Sequence, residues 1–152
     1  MTEQEARGVF VGPSIWRSLD VRTATAMYAA MAMNPSREHV VWAPLWNDAL
    51  IGRSRSLMCT EFLENHPDCD VMVIVDDDVV FEPGDLWKIV EGARETRGIY
   101  GGVYVTRSTT PHIASRFFKD RGEVTIAQTP QRRPHEIQYL ATGFFAIHRG
   151  VL

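Results

Sequence analysis

The contrast between apolar and charged residues is sharpest at Val71–Val75, where five consecutive apolar residues run directly into Asp76, Asp77 and Asp78. A short apolar run bounded by charge is typical of a strand buried on both faces, as in a parallel sheet. Side chains alternate along a strand, so Asp76 and Asp78 are predicted to share one face, roughly 6–7 Å apart, while Asp77 points to the other. We expect the fold to be organised around this strand.

The other apolar segments are shorter, and turn residues separate them. Gly8–Ser14 predicts a first strand that ends at its Gly-Pro pair, and His39–Pro44 predicts a second strand. Pro44 should mark the end of the second strand, because proline has no N–H to donate to a sheet. Further strands are predicted at residues 99–105, 117–118, 124–126, 136–140 and 143–147.

Three helices are predicted between the strands. The first covers Arg22–Met33. The second is expected to start near Asn47 or Asp48, either of which could cap it, and to continue to about Asn65. Its predicted apolar face, which fits a helical stripe only roughly, consists of Leu50, Ile51, Leu57, Met58, Phe62 and Leu63. The third starts around Pro83 and has a clean i, i+3, i+4, i+7 face: Leu86, Ile89, Val90 and Ala93.

The order of these elements is β-α-β-α-β-α-β followed by mostly strand. This order predicts an α/β fold with a mostly parallel sheet, helices on both faces and a β-rich C-terminal part. A chain of 152 residues suits one domain over residues 1–152.

Composition narrows the class of protein. The formal net charge is −3 and no basic run is long, which argues against a general nucleic-acid binder. The longest apolar stretch, Met27–Met33, is too short to span a membrane, and the N-terminus carries no apolar segment of signal length. Cys59 and Cys69 match no metal-ligand spacing and are expected to be reduced thiols. We therefore expect a soluble, cytoplasmic protein.

The candidate chemistry lies at the carboxyl ends of the predicted strands, where open α/β sheets bind ligands. Asp76–Asp78 follow one strand, Pro13 and Ser14 end another, and Trp46 follows a third. Neighbouring carboxylates about 4 Å apart repel each other by roughly 1 kcal/mol in water and roughly 4 kcal/mol at a protein surface. A divalent cation with oxygen ligands would offset this repulsion. An acidic loop without a ligand remains the alternative.

Several enzyme classes lack their motif. The chain contains no phosphate-binding G-x-x-x-x-G-K-[ST] loop and no dinucleotide-binding G-x-G-x-x-G. It also contains no G-x-S-x-G nucleophile elbow and no Cys-plus-His pattern for nucleophilic catalysis. A metal-dependent nucleotidyl or phosphoryl transferase that uses the acidic strand stays open.

One family shares an ordered set of segments with this chain. The segments are Leu50–Leu63, Val73–Val79, Pro83–Leu86, Tyr100–Tyr104 and Ala141–Ile147. In this order and at these intervals they resemble the small GT-A-fold glycosyltransferases, and the similarity covers roughly residues 8 to 152. The resemblance implies a Rossmann-related GT-A-like sheet and the transfer of a sugar from a nucleoside diphosphate, UDP or GDP, to an unknown acceptor.

The resemblance also implies roles for the acidic residues. Asp76 would lie near the ribose of the donor, and Asp78 would ligate a Mn²⁺ or Mg²⁺ that holds the diphosphate. Asp76 would share that metal site, and His148 is a candidate for a further ligand, although a lone histidine on a strand is more often structural. Asp77 is expected to contribute to the donor site or to bond locally. Arg55 would pair with phosphate or with the aspartates, with an ordinary surface arginine as the alternative.

Further roles follow from the same resemblance. Pro13 and Ser14 would border the base of the donor, and Trp46 could stack on the base or the sugar. The paired glycines Gly101 and Gly102 would let the backbone approach the sugar, with a plain bulge as the alternative. The loop that lines the acceptor pocket would contain Thr142 and Gly143. Three residues of one loop could close over phosphate, although a solvated loop is the default expectation: Arg132, Arg133 and His135.

The chain departs from the family in one respect. In inverting members a Glu-Asp pair after the Thr-Gly-Phe strand supplies the general base, whereas this sequence ends at Leu152 without one. We expect a truncated chain, a missing base or a retaining reaction. The competing hypothesis is a catalytically incomplete domain that binds a nucleotide or a partner, in which a second copy of the chain could cover an exposed sheet edge.

Overall fold

The computed structural model describes residues 7–103, 136–137 and 140–152. The strands in these ranges are β1 (Gly8–Ile15), β2 (Val40–Trp42), β3 (Leu45–Trp46), β4 (Cys69–Asp76), β5 (Ile99–Gly101) and β6 (Phe144–His148). The helices are α1 (Val21–Met33), α2 (Ile51–Asn65) and α3 (Pro83–Thr96), and a short 3₁₀ helix follows at Arg149–Val151. None of these helices is both long and apolar enough to cross a membrane.

The strands form one mixed sheet in the order β2-β1-β4-β6-β5, with β3 also paired to β1. β1 runs parallel to β2, β3 and β4, whereas β6 runs antiparallel to β4. The predicted α/β class is therefore confirmed for the described residues.

The chain divides into two compact units. One unit contains residues 1–100 and 143–152, and the other contains residues 101–142. Most of the second unit lies outside the described residues, including the strands predicted at 117–118 and 124–126. A single domain over residues 1–152 stays a prediction.

The core of the first unit is built on β1 and β4. Nearly every residue of both strands is buried, whichever face it occupies, as the apolar pattern of Val71–Val75 predicts. Phe10 of β1 packs against Phe62 of α2, with ring centroids 5.7 Å apart. Helices α1 and α3 are joined by the buried indole of Trp87, whose Nε1 donates to the carbonyl of Ala30 at 2.8 Å.

β1 continues through Pro13 to Ile15, so the prediction that the Gly-Pro pair ends this strand is wrong. Odd-numbered residues of β1 bond towards β2: the N–H of Val9 donates to His39, and the carbonyl of Val11 accepts from Ala43. This alternation places the missing N–H of Pro13 at the break between β2 and β3. A proline in this internal strand therefore leaves no ladder bond unmade.

Helix α2 starts at Ile51, three or four residues after the predicted cap. Asn47 has a φ of 62°, which a helix cannot contain. The Asp48 carboxylate accepts from the N–H of Leu50 at 2.9 Å, so Asp48 caps the turn before the helix. Helix α1 instead starts close to its predicted position, where Asp20 accepts from the N–H of Arg22 at 2.8 Å.

A cluster of ion pairs joins α3 to the amino ends of the strands. Arg94 donates to both carboxylate oxygens of Glu38 and to both of Asp70, with every N···O distance between 2.8 and 3.0 Å. Glu91 completes this Arg94 cluster. Burial alone would raise the pKa of Glu38, but Arg94 and Arg7 hold this pKa below its ordinary value of 4.5.

Hydrogen bonds from Arg149 connect the segment after β6 to the end of α2. Its guanidinium donates to the carbonyls of Phe62 at 2.7 Å, Cys69 at 2.8 Å and His66. It also lies 4.1 Å above the centre of the Phe62 ring. The last carbonyls of a helix have no partner within it, and Arg149 supplies donors to those of Phe62 and of His66, the residue after α2.

We expect Gly92→Ala to destabilise the protein by up to about 2 kcal/mol. A Cβ at Gly92 would lie 2.7 Å from three atoms of the Tyr100 ring, and overpacking costs about 1–3 kcal/mol, more than the roughly 1 kcal/mol gained in helix propensity. Gly84→Ala, on the same helix with no atom within 4 Å, is the control and should be neutral or slightly stabilising. Urea denaturation measures both, and equal stabilities would contradict the expected contact with Tyr100.

Candidate functional site

The ends of β1 and β4 meet at one edge of the sheet. The two strands are parallel, and their register places Ser14 opposite Asp76 and Pro13 opposite Val75. Pro13, Ser14 and Asp76 therefore lie together at the carboxyl ends of neighbouring strands, as the sequence predicts. This is the edge at which open α/β sheets bind ligands.

The three aspartates do not continue the strand. β4 ends at Asp76, and Asp77 and Asp78 form a turn in which the N–H of Val79 donates to the Asp76 carbonyl at 3.3 Å. Asp78 is exposed, and Val79 returns to the interior. The predicted strand alternation of Asp76, Asp77 and Asp78 is therefore wrong, because the chain leaves the sheet after the first of them.

Asp77 holds the loop between β1 and α1. Its Oδ2 accepts from the N–H of Trp16 at 3.0 Å, and its carbonyl accepts from the N–H of Asp20 at 2.9 Å. Both bonds cross from the turn after β4 to the neighbouring loop. Asp77 thus fixes the position of the loop between β1 and α1. Of the two roles expected for Asp77, these bonds agree with local bonding, and its contribution to donor binding stays a prediction.

Arg55 contacts Asp76, as one of the two expectations for Arg55 requires. Its Nη2 donates to Oδ1 of Asp76 at 3.1 Å and to Oδ2 at 3.4 Å, and both side chains are mostly buried. The backbone N–H of Asp76 donates to the Gly143 carbonyl at 2.8 Å. Arg53 faces elsewhere and pairs with Asp48 at 2.8 Å.

Asp76 is the electrostatically strained group of this site. Burial raises the pKa of its carboxyl above the ordinary 3.8, Arg55 lowers it, and Asp78 and Asp77 raise it further. Because the pKa is higher in the folded than in the unfolded protein, ionising Asp76 costs stability as the pH rises through the window just above 3.8. At neutral pH additional positive charge at this place is therefore favourable.

The aspartates at the end of β4 could bind a metal ion only together with other ligands, such as the phosphates of a substrate. Among the described residues three potential ligand side chains converge within 4.8 Å only at His39, Asp68 and Cys69, so the aspartates do not form a closed cage. Mg²⁺ commonly uses one or two carboxylates together with substrate phosphates. Asp76 and Asp78 are two carboxylates two residues apart at the end of β4, and their binding of a metal ion stays a prediction.

His148 does not belong to this group. In the antiparallel pairing of β6 with β4 it lies opposite Val71, five residues before Asp76 and therefore roughly 16 Å away along the strand. Its Nδ1 accepts from the N–H of Gly150 at 3.1 Å. The structure thus corrects the expectation that His148 joins Asp78 around a metal ion.

Sequence reasoning missed Ser54. Its side chain is fully buried, and its Oγ lies 3.0 Å from Oγ of Ser14. The buried positions of α2 are Ser54, Met58 and Phe62, a spacing of four residues that could have indicated this face. Four members of the predicted apolar face are instead exposed: Leu50, Ile51, Leu57 and Leu63.

Two exposed tryptophans flank the same edge. Trp46 pairs in register with Ile15, and Trp16 is the next residue after that strand. Trp46 is 54% and Trp16 43% exposed, so a flat ligand can reach them. The accessibility of Trp46 agrees with the stacking role expected for it, which stays a prediction.

Most of the remaining residues expected at the site belong to the second unit. Gly101, Gly102 and Thr142 lie in that unit, whereas Gly143 lies in the first. A Cβ at Gly101 would lie 2.7 Å from Cδ1 of Leu140, so the absence of a side chain makes room for that leucine. Arg132, Arg133 and His135 lie outside the described residues.

In comparisons with known proteins, neither a family model nor a curated sequence matches this chain. The resemblance to GT-A-fold glycosyltransferases therefore stands on the ordered sequence segments and their residues alone.

Proposed function

We propose that this protein is a metal-dependent glycosyltransferase that moves a sugar from a nucleoside diphosphate, UDP or GDP, to an acceptor. The observation that carries the proposal is the contact between Arg55 and Asp76 at the carboxyl end of β4, opposite Ser14. An anionic diphosphate together with a divalent cation complements this mixture of a guanidinium and carboxylates.

The charges of the site suggest how the leaving group is stabilised. A Mn²⁺ or Mg²⁺ held by Asp76 and Asp78 would offset the negative charge that develops on the departing nucleoside diphosphate. The planar guanidinium of Arg55 matches the geometry of carboxylate and phosphate oxygens, and its Nη2 donates to both Asp76 oxygens, at 3.1 and 3.4 Å. We assign Arg55 to the phosphates and to orienting Asp76.

The surface beside the aspartates suits a base or sugar ring. Trp16 and Trp46 present exposed indoles, and aromatic side chains offer flat stacking surfaces with an apolar body. Pro13 and Ser14 lie at the same edge and would border the base. By the same resemblance Gly101, Gly102, Thr142 and Gly143 would approach the sugar and the acceptor.

The alternative is a catalytically incomplete domain that binds a nucleotide or a partner without turnover. Such a domain would hold the donor through the same contact between Arg55 and Asp76 without transferring the sugar. Glu136 precedes β6 and does not match the family position of the base.

We expect Asp78→Ala to weaken metal-dependent nucleotide binding by on the order of 10–100-fold, because the cation loses one of two carboxylate ligands. The experiment is a calorimetric titration with UDP, GDP and their sugar conjugates, first with Mn²⁺ and then with EDTA. Asp85→Ala is the matched control, since Asp85 is an acidic residue on α3 that pairs with Lys88. Equal affinity of Asp78→Ala and the unmodified protein would contradict the metal assignment.

The products decide between the proposed reaction and its alternatives. Transfer or hydrolysis of the sugar above the level of the Asp78→Ala variant supports the glycosyltransferase. Metal-dependent binding without turnover supports the incomplete domain. Release of a nucleoside monophosphate and an intact sugar phosphate would indicate nucleotidyl or phosphoryl transfer instead.

A further inference from the structure

Three side chains of different chemistry meet at the opposite end of the sheet. His39 directly precedes β2, Asp68 directly precedes β4, and Cys69 is the first residue of β4. One ligand atom from each lies within 4.8 Å of the other two, and Nε2 of His39 is 3.1 Å from Oδ2 of Asp68. Asp76 stands at the other end of β4, so this group is separate from the proposed donor site.

We propose that His39, Asp68 and Cys69 bind a Zn²⁺ ion, with water as the fourth ligand. The inference is independent of the glycosyltransferase proposal. Zn²⁺ takes imidazole, carboxylate and thiolate ligands in a tetrahedral arrangement, and a thiolate ligand disfavours Mg²⁺ and Ca²⁺.

The distances suit this arrangement. With Zn–N and Zn–O bonds of about 2.0–2.2 Å and a Zn–S bond of about 2.3 Å, tetrahedral ligand atoms lie roughly 3.3–3.6 Å apart. The pair of His39 and Asp68 is already at 3.1 Å. The remaining separations, at most 4.8 Å, close by about 1 Å through rotation of His39 and Asp68, whose side chains are 60% and 54% exposed.

The backbone holds the three residues in place across β1. The N–H of Gly8 donates to the Asp68 carbonyl at 3.0 Å, and the N–H of Val9 donates to the His39 carbonyl at 2.9 Å. A Cβ at Gly8 would lie 2.8 Å from that Asp68 carbonyl and 3.0 Å from Sγ of Cys69. The bare backbone of Gly8 thus leaves room for the thiol between the two strands, and the site is organised before an ion arrives.

The charges of the group match a divalent ion. A thiolate, a carboxylate and a neutral imidazole carry a charge of −2, which Zn²⁺ neutralises. Burial raises the pKa of the Cys69 thiol to about 12, and the Asp68 and Asp70 carboxylates add to this rise, so the metal-free thiol is protonated at neutral pH. On binding, the S–H proton leaves to solvent as the Zn–S bond forms.

Cobalt provides the direct test, because Co²⁺ can replace Zn²⁺ at such a site and its absorption spectrum depends on the ligands that bind it. Protein freed of metal with a chelator is titrated with Co²⁺. We expect one equivalent to produce a near-ultraviolet thiolate-to-cobalt charge-transfer band, which Zn²⁺ then abolishes. A carboxylate site at Asp76 and Asp78 produces no such band, so failure of one proposal is distinguishable from failure of the other.

Matched variants identify the ligands. His39→Asn should weaken Zn²⁺ binding by on the order of 100-fold or more, since losing even an outer-shell partner costs about 10–100-fold. Cys69→Ser should remove the charge-transfer band. The controls are Cys59→Ser, which changes the other thiol, and His66→Asn, which changes a histidine paired with Glu61 at 3.3 Å.

The outcomes are decisive even where the buried Cys69→Ser variant fails to fold, because His39 is exposed and its substitution removes no side chain from the core. The proposal is overturned if the unmodified protein gives no charge-transfer band, if the band and the Zn²⁺ affinity survive His39→Asn, or if Cys59→Ser removes the band. Retention of the band in the Asp78→Ala variant confirms that this ion is bound apart from the donor site.

Discussion

Arg94→Ala is expected to lower the free energy of unfolding by about 3–5 kcal/mol, the cost typical of breaking a buried ion pair from one side. Arg94 is 11% exposed, and its guanidinium neutralises Glu38 at 5% and Asp70 at 15% exposure. Removal of the guanidinium leaves two carboxylates out of water without their main cation. Urea denaturation at neutral pH measures the loss.

The pH dependence of this loss has a defined sign. The pKa of Glu38 is held below 4.5 in the folded protein, so its pairing adds stability at neutral pH that is lost as the pH falls through the folded pKa. The deficit of Arg94→Ala should therefore shrink in acid. Arg22→Ala is the control, because Arg22 pairs with Asp20 at the surface, where solvent screens the pair and it adds little to stability. Equal losses in the two variants would show that the Arg94 cluster is not an important source of stability.

Arg55→Met should destabilise the protein by about 2–3 kcal/mol at neutral pH. This lies below the cost for fully buried pairs, because the side chains of Arg55 and Asp76 keep 20% and 29% of their exposure. Without the guanidinium the pKa of Asp76, already raised, rises further, since Arg55 is the cation that lowers it. The folded variant then pays to ionise Asp76, and its deficit is expected to disappear as the pH falls and Asp76 becomes protonated.

Denaturation at neutral and at acid pH tests this expectation. Arg53→Met is the matched control, two residues away on α2, because Arg53 is 62% exposed and pairs with Asp48 outside the site. A deficit that persists unchanged in acid would mean that packing of the Arg55 side chain, and not its charge, supports the fold. If Mn²⁺ restores stability to Arg55→Met at neutral pH but not to an Arg55→Met, Asp78→Ala double variant, the ion replaces the lost positive charge beside Asp76.

The elements that were predicted correctly are those whose apolar residues follow one simple pattern. Val71–Val75 is apolar on both faces, and α3 repeats its apolar residues at helical spacing, so burial confirms both. The face of α2 could not be predicted in this way, because hydrophobicity was used as the guide and Ser54 is buried through a partner on β1. Only the packing of α2 against β1 shows that Ser14 is that partner.

In the candidate site, too, some contacts could be predicted from the sequence and others depend on how the strands pair. The contact of Arg55 with Asp76 could be expected, because both lie near the ends of elements that parallel strands bring together. The failure at His148 arises from the antiparallel direction of β6, which the sequence does not encode locally. His39 and Cys69 are far apart in sequence and match no ligand spacing, so only the pairing of β2 and β4 with β1 brings them together.

The position of β6 has a consequence for how the protein is made. It is the last described strand along the chain, yet it lies between β4 and β5 in the sheet. During synthesis the apolar edge of β4 is without its native partner until residues 144–148 leave the ribosome, and the Arg149 bonds to α2 form later still. Such long-range pairing folds slowly and exposes an unpaired strand edge in the meantime. A nascent chain halted before Phe144 should therefore bind chaperones and refold poorly. This holds even where the preceding segments strongly favour their own strands and helices.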